Sequence, residues 1–202
     1  MRTKQILVVS IVATGVILLL LVGFFWLYSP PKPVSDGMKQ AFNPSGDFTL
    51  TDDSGKTFHL KDYRGKVVLL YFGYTACPDI CPATLAKLAK VRSLLGAAGK
   101  NVVTVFVTVD PKRDTPARLK EYVEYFDSSA IGLTGTKTEI DRVVNAYNAS
   151  YQVKRSNSSL GYTISHTSIV YLIDKRGAVR NLFHQDDEPE KMASIIRESA
   201  GT

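Results

Sequence analysis

Hydrophobic positions form one long block near the start of the chain, then short runs whose period switches between that of strands and that of helices. Residues 6–27 carry no charge, and Ser10 and Thr14 are the polar side chains among them. As a helix the block reaches about 33 Å, enough to cross a hydrocarbon core of about 30 Å. Trp26 and Tyr28 stand at its far end, where amphipathic rings favour the membrane interface. Arg2 and Lys4 precede it, and the positive-inside bias then keeps the N-terminus cytoplasmic. A cleaved signal has an apolar region of about 7–15 residues and an Ala-x-Ala-like site. Here Tyr28-Ser29-Pro30-Pro31 follows a longer run, so a retained single-span anchor is expected. Pro30, Pro31 and Pro33 predict a short stiff stalk. The expected organisation is anchor and stalk over residues 1–36 and one domain over residues 37–202. The expected address is a bacterial cell membrane, with the domain on the periplasmic or outer side.

Beyond the stalk the periods alternate. Phe48-Thr49-Leu50 and Thr57-Phe58-His59-Leu60 flank Asp53-Ser54-Gly55 and predict a hairpin. Residues 66–74 (KVVLLYFGY) and 101–109 (NVVTVFVTV) are near-continuous apolar runs, as in strands buried on both faces. Leu85, Leu88, Val91 and Leu95 recur at helical spacing, predicting a helix over 83–98 closed by Gly99. Further helices are predicted over 115–126, with Pro116 in the first turn, and over 137–147. Strands over 168–174 and 178–183 surround Lys175-Arg176-Gly177, and a helix over 188–199 follows. This order predicts an α/β fold: a mixed sheet flanked by helices, thioredoxin-like with extra strands at the front as in its peroxiredoxin-like variant. In such sheets chemistry sits beyond the carboxyl end of a central strand, and strand 66–74 runs straight into Cys77.

Charge changes the picture little. The net charge is +6, from 25 Lys and Arg against 19 Asp and Glu. Setting aside Arg2, Lys4, Lys32 and Asp36 leaves 25 − 3 = 22 basic and 19 − 1 = 18 acidic residues. Without a dense basic block this is a solvated surface, and no nucleic-acid partner is expected. Two cysteines cannot build a disulfide scaffold or a four-cysteine zinc site.

Both cysteines lie in Cys77-Pro78-Asp79-Ile80-Cys81-Pro82. In a helical turn, thiols four residues apart share a face. The prolines forbid a regular helix through the motif, so a loop with one turn is expected, with Pro82 near the helix start. A helix N-terminus beside the thiols favours the thiolate. Two thiolates leave a metal site incomplete, and soft thiolates with one imidazole suit copper, reduced copper most of all. His166 immediately precedes a predicted buried strand, where thioredoxins set a cis-proline facing their cysteines; the position suits a third ligand and a hydrogen-bonded polar residue at a strand start equally. Ser165-His166-Thr167 has no proline. His59 and His184 have no metal-ligand spacing to a second donor, while Asp79 and Asp110 are candidates for the rim of the site.

These residues carry a resemblance. The chain resembles the Sco/SenC family, membrane-anchored copper proteins that serve cytochrome c oxidase assembly. YFGYTACPDICP (residues 71–82) is similar to that family's Cys-Pro-x-x-x-Cys signature, and TVDPKRDTP (108–116) and ISHTSIVYLID (164–174) match two further stretches. The resemblance implies that Cys77, Cys81 and His166 bind a copper ion. It also implies a partner, the oxidase subunit carrying the binuclear copper site. Ala76 departs from the bulkier or polar residue usual there, without removing a ligand. The competing function is a thiol–disulfide oxidoreductase acting through Cys77 and Cys81 on that partner's cysteines. Such enzymes normally separate their cysteines by two residues and use the missing cis-proline. A peroxidase of the peroxiredoxin kind needs Pro-x-x-x-Thr-x-x-Cys, whereas positions 70 and 74 are Leu and Tyr. A c-type haem is excluded, since Cys-x-x-Cys-His does not occur.

Overall fold

The two longest apolar runs of the domain become neighbours at the centre of a sheet. The computed structural model describes residues 46–155 and 161–201, so the anchor and stalk expected over residues 1–36 lie outside the described residues. Strands β3 (Val67–Gly73) and β4 (Val102–Thr108) are buried at every position and pair in parallel, from Val67 opposite Val102 to Gly73 opposite Thr108. Because both faces of these strands are covered, their sequences show no in–out alternation.

The other strands extend this pair into a mixed sheet. The front hairpin is β1 (Thr49–Asp52) and β2 (Thr57–His59). Beyond β4 lies β5 (Ile131–Thr134), parallel to β4 and antiparallel to β1. On the other side of β3, β8 (Val170–Ile173) pairs antiparallel, followed by β9 (Val179–Phe183). The order among the described residues is β2-β1-β5-β4-β3-β8-β9. This is the expected thioredoxin-like arrangement, a βαβ unit closed by an antiparallel hairpin. Strand β5 has no counterpart in the sequence expectation. Its four residues are too few to show a period, and Gly132 interrupts them. That glycine is required, because a Cβ there would stand 2.8 Å from Leu119 Cβ.

Four helices flank the sheet among the described residues: α1 (Ile80–Leu95), α2 (Pro116–Phe126), α3 (Lys137–Ala146) and α4 (Pro189–Gly201). The expected stripe Leu85, Leu88, Val91 and Leu95 is buried on α1, which packs against α4. The bounds of α1 shift towards the N-terminus. It starts at Ile80, so that Pro82 is its third residue, where the backbone nitrogen has no intrahelical acceptor and proline costs little. It stops at Gly96, whose φ of +57° suits glycine, rather than at Gly99. Thr115 caps α2 ahead of Pro116, and Thr136 with Glu139 forms a capping box on α3.

The largest departure lies between Tyr147 and Ser168, where no element was expected. Strands β6 (Tyr151–Arg155) and β7 (Tyr162–His166) form a separate antiparallel hairpin, with Tyr151 opposite His166 and Val153 opposite Ile164. Residues 152–155 are exposed, so this ribbon lacks the alternation that marks a half-buried strand. His166 therefore ends β7 instead of immediately preceding a buried strand; Thr167, Ser168 and Ile169 separate it from β8.

Candidate metal centre

Strand β3 ends at Gly73, and the chain turns through Tyr74 to Cys77, whose N–H donates to the Tyr74 carbonyl at 3.2 Å. Cys77 lies before α1 and Cys81 is its second residue, so the thiols converge across a helix start rather than along a helix face. Both are buried and unpaired as a disulfide. Gly73 makes room for them: a Cβ there would stand 2.9 Å from Cys81 Sγ and 2.6 Å from Phe106 Cε2. No side chain fits between strand and sulfur at that point.

The third member arrives from the separate hairpin. His166 Nε2 lies 3.3 Å from Cys81 Sγ, and its Nδ1 lies 3.0 Å from the Thr167 carbonyl oxygen. A carbonyl only accepts, so Nδ1 donates to Thr167, which orients the ring with Nε2 directed at the sulfurs. The donor atoms of Cys77, Cys81 and His166 all lie within 4.8 Å of one another, and this is the group of such side chains among the described residues that can hold a metal ion. Tyr71 and Tyr74 present edge contacts to the imidazole, with ring centroids 6.1 and 5.9 Å away. The Tyr71 hydroxyl, 3.9 Å from Cys81 Sγ, donates to it.

The two thiols are driven apart electrostatically. Cys77 is held far below the usual thiol range, first by a hydrogen bond from Cys81, with His166 and the backbone N–H groups of Asp79 and Cys81 adding to it against burial. Cys81 is pushed up, first by the neighbouring Cys77 sulfur and then by burial. Burial also raises Tyr71, helped by the negative charge of the sulfurs. The site thus holds two sulfurs of opposed acidity beside one imidazole nitrogen. Two sulfurs and an imidazole against an aromatic wall, with no carboxylate in the group, are a soft donor set that fits copper.

The two aspartates expected at the rim are not in the donor group. Asp79 occupies the N-cap position of α1 and makes no side-chain cap. Asp110 is 3% exposed; its Oδ1 accepts from the Tyr162 hydroxyl at 2.8 Å, and it is ion-paired with Arg113. His59 bonds to Thr49, far from the cluster in the front hairpin. The residue that sequence reasoning passed over is Asp114, fully buried and accepting from Thr75 N–H (3.0 Å), the Thr75 hydroxyl (2.6 Å) and the Thr108 hydroxyl (2.6 Å). It ties the cysteine loop to the end of β4. Its one sequence signal was its place within TVDPKRDTP.

The fold, the cysteine loop and the histidine hairpin agree with a family match: the SCO1/SenC family model covers residues 36–201. The chain belongs to the SCO1/SenC family. It is 36% identical over 200 residues to the SCO2-like protein of Rickettsia conorii, covering 96% of this chain and 95% of that one. The structure of Bradyrhizobium japonicum ScoI with copper bound superposes with a TM-score of 0.71 at 36% identity, over 77% of this chain and 98% of that one. Yeast Sco1 with copper bound gives 0.70 at 34% identity, over 78% of this chain and 88% of that one. The mixed α/β thioredoxin-like fold is therefore the Sco fold. Homologous Sco proteins hold copper, and this member carries a Cys–Cys–His group able to bind a metal.

Proposed function

We propose that Cys77, Cys81 and His166 bind one copper ion, and that this Sco protein is a membrane-anchored carrier. It loads the binuclear copper site of a cytochrome c oxidase subunit. The observation that carries the proposal is the convergence of two sulfurs and one imidazole nitrogen within 4.8 Å, in a chain whose relatives are solved with copper bound. Copper is cargo here, and the donor set suits cargo. Three protein donors hold a soft ion firmly while a further ligand from a recipient can still approach. Oxidation of Cys77 and Cys81 to a disulfide removes two of the three donors, so the redox poise of the compartment governs whether the site can load.

A second reading is reduction of a disulfide between the recipient's cysteines by the dithiol: Cys77 attacks to form a mixed disulfide, and Cys81 displaces the recipient's thiol, leaving a Cys77–Cys81 disulfide. The low-lying thiolate of Cys77 favours it, since the thiolate is the attacking species in disulfide exchange. The two roles are compatible in sequence, reduction first and metal transfer afterwards. Anaerobic titration of the purified chain with copper(I), with free thiols counted before and after, tests the carrier. One ion bound per chain with both thiols protected is expected; no binding by the fully reduced protein overturns it.

The address belongs to the same proposal. Residues 6–27 stay in the mature protein as a single span, with the domain on the extracytoplasmic side of a bacterial membrane. N-terminal sequencing of the native protein checks this, and a mature chain starting beyond Leu27 overturns it.

A further inference from the structure

The hairpin that supplies His166 pairs with no strand of the main sheet among the described residues. Its pose against the cysteines is consequently set by side chains rather than by a hydrogen-bond ladder. The Tyr151 hydroxyl donates to Asp141 of α3 at 2.6 Å, and the Ile164 N–H donates to the Tyr74 hydroxyl at 3.3 Å. A further set of contacts runs to the turn after β4, residues 110–114.

Tyr162, four residues before His166 in β7, is gripped by that turn in three ways. Its hydroxyl donates to Asp110 Oδ1, its carbonyl accepts from Arg113 Nη1 at 3.1 Å, and its ring lies 3.7 Å from the Arg113 guanidinium carbon. The same guanidinium lies 5.6 Å from the ring centroid of Tyr74, which itself edges onto His166. At the other end of the turn, Asp114 holds the backbone and hydroxyl of Thr75, two residues before Cys77. The turn is braced internally. Asp110 O accepts from Asp114 N–H at 3.0 Å and from Arg113 N–H at 3.1 Å, and the Thr108 hydroxyl donates to Asp114 while accepting from Asp110 N–H.

We infer that turn 110–114 is a bracket that registers the cysteine loop against the histidine hairpin, with Arg113 and Asp114 as positioning residues of the metal centre. Asp114 references the sulfurs, and the Asp110–Arg113 pair references the imidazole, to the same five residues. Both carboxylates are buried, at 3% and 0% exposure, which makes each arm stiff. Groups that orient metal ligands from outside the coordination shell typically change affinity by about 10–100-fold.

This inference rests on the copper reading only for its affinity readout. The test uses the full chain in detergent, with three readouts: copper(I) affinity by competition with a chromophoric chelator, amide hydrogen exchange at Ile164–His166 in the metal-free protein, and the alkylation rate of Cys77. Arg113→Met leaves a buried carboxylate uncompensated and is paired with the double variant Asp110→Asn/Arg113→Met, which removes that charge. In the double variant, thermal stability is expected to return towards wild type. Copper affinity stays about tenfold low, exchange at Ile164–His166 is faster, and Cys77 alkylation is unchanged. Asp114→Asn is expected to do the reverse, altering Cys77 alkylation while exchange in the hairpin stays as in wild type. Wild-type exchange and affinity in the double variant overturn the bracket, as does an affinity loss that merely tracks stability. Absence of copper binding by the wild-type chain overturns the carrier proposal instead, and the metal-free readouts still decide the bracket.

Discussion

His166 Nε2 and Cys81 Sγ stand 3.3 Å apart although 85 residues separate them in the chain. One belongs to the second residue of a helix, the other to the end of a ribbon outside the main sheet. Their meeting defines the metal centre, and it makes the histidine separable from the dithiol in experiment.

His166→Ala removes the only nitrogen of the donor group and leaves both sulfurs in place. Copper(I) affinity is expected to fall by about 100-fold or more, at the upper end of what losing an outer-shell partner does, since here a ligand itself is lost. Both thiols remain titratable with a chromogenic disulfide. Full affinity in the variant, measured by chelator competition, makes the imidazole structural and moves the reductase reading to first place.

Gly73→Ala probes the close approach of strand and sulfur. The added methyl has Phe106 Cε2 at 2.6 Å and Cys81 Sγ at 2.9 Å to displace, and both neighbours are fully buried. Overpacking of this kind costs about 1–3 kcal/mol. Urea unfolding of the metal-free variant is expected to show that loss together with weaker copper binding. A variant as stable as wild type shows that the strand end can yield.

The depressed Cys77 carries a pH signature. Its folded value lies below the unfolded one, so between the two the unfolded chain holds the extra proton and stability rises with pH. The contribution is fully present above the ordinary thiol value of about 8.5 and is lost as pH falls towards the folded one. The alkylation rate of Cys77 is expected to stay nearly level from pH 8 to pH 5, as followed by peptide mass spectrometry. A free thiol slows about tenfold per unit there. A tenfold decline per unit at Cys77 shows an ordinary thiol.

Mild oxidation of the metal-free chain is expected to join Cys77 to Cys81 within one molecule, because the donor sulfurs already lie within 4.8 Å. Mass spectrometry reads the loss of two hydrogens on the peptide holding both, and circular dichroism reads an intact fold. The oxidised chain then takes up no copper until reduced. Pairing between molecules instead shows that the two sulfurs do not converge.

The parts of this protein legible in its sequence are those dictated by local periodicity and local chemistry. Two unbroken apolar runs are read as doubly covered strands, and the Leu85–Leu88–Val91–Leu95 stripe as a buried helix face, because burial leaves a period in the sequence. The soft character of the site is legible too, since Cys77 and Cys81 lie four positions apart and few other functions suit such a pair beyond a strand end. Strand β5 and the β6–β7 hairpin leave no such trace: one is four residues long with a glycine inside, the other is largely exposed. Asp79 and Asp110 looked alike as loop aspartates, yet one sits at a helix start and the other is buried against Arg113 and Tyr162.

What the sequence determined by itself was the inventory: the sheet's central strands, the helix behind the cysteines, and two sulfurs and one imidazole suited to a soft metal. What the tertiary structure decided was their relation. Gly73 brings Cys81 against the strand end, Thr167 turns Nε2 of His166 inward, and the turn bearing Asp110, Arg113 and Asp114 holds loop and hairpin face to face. Periodicity records which residues are buried along an element. Contacts between elements far apart in the chain depend on how those elements pack, and packing leaves no period to read.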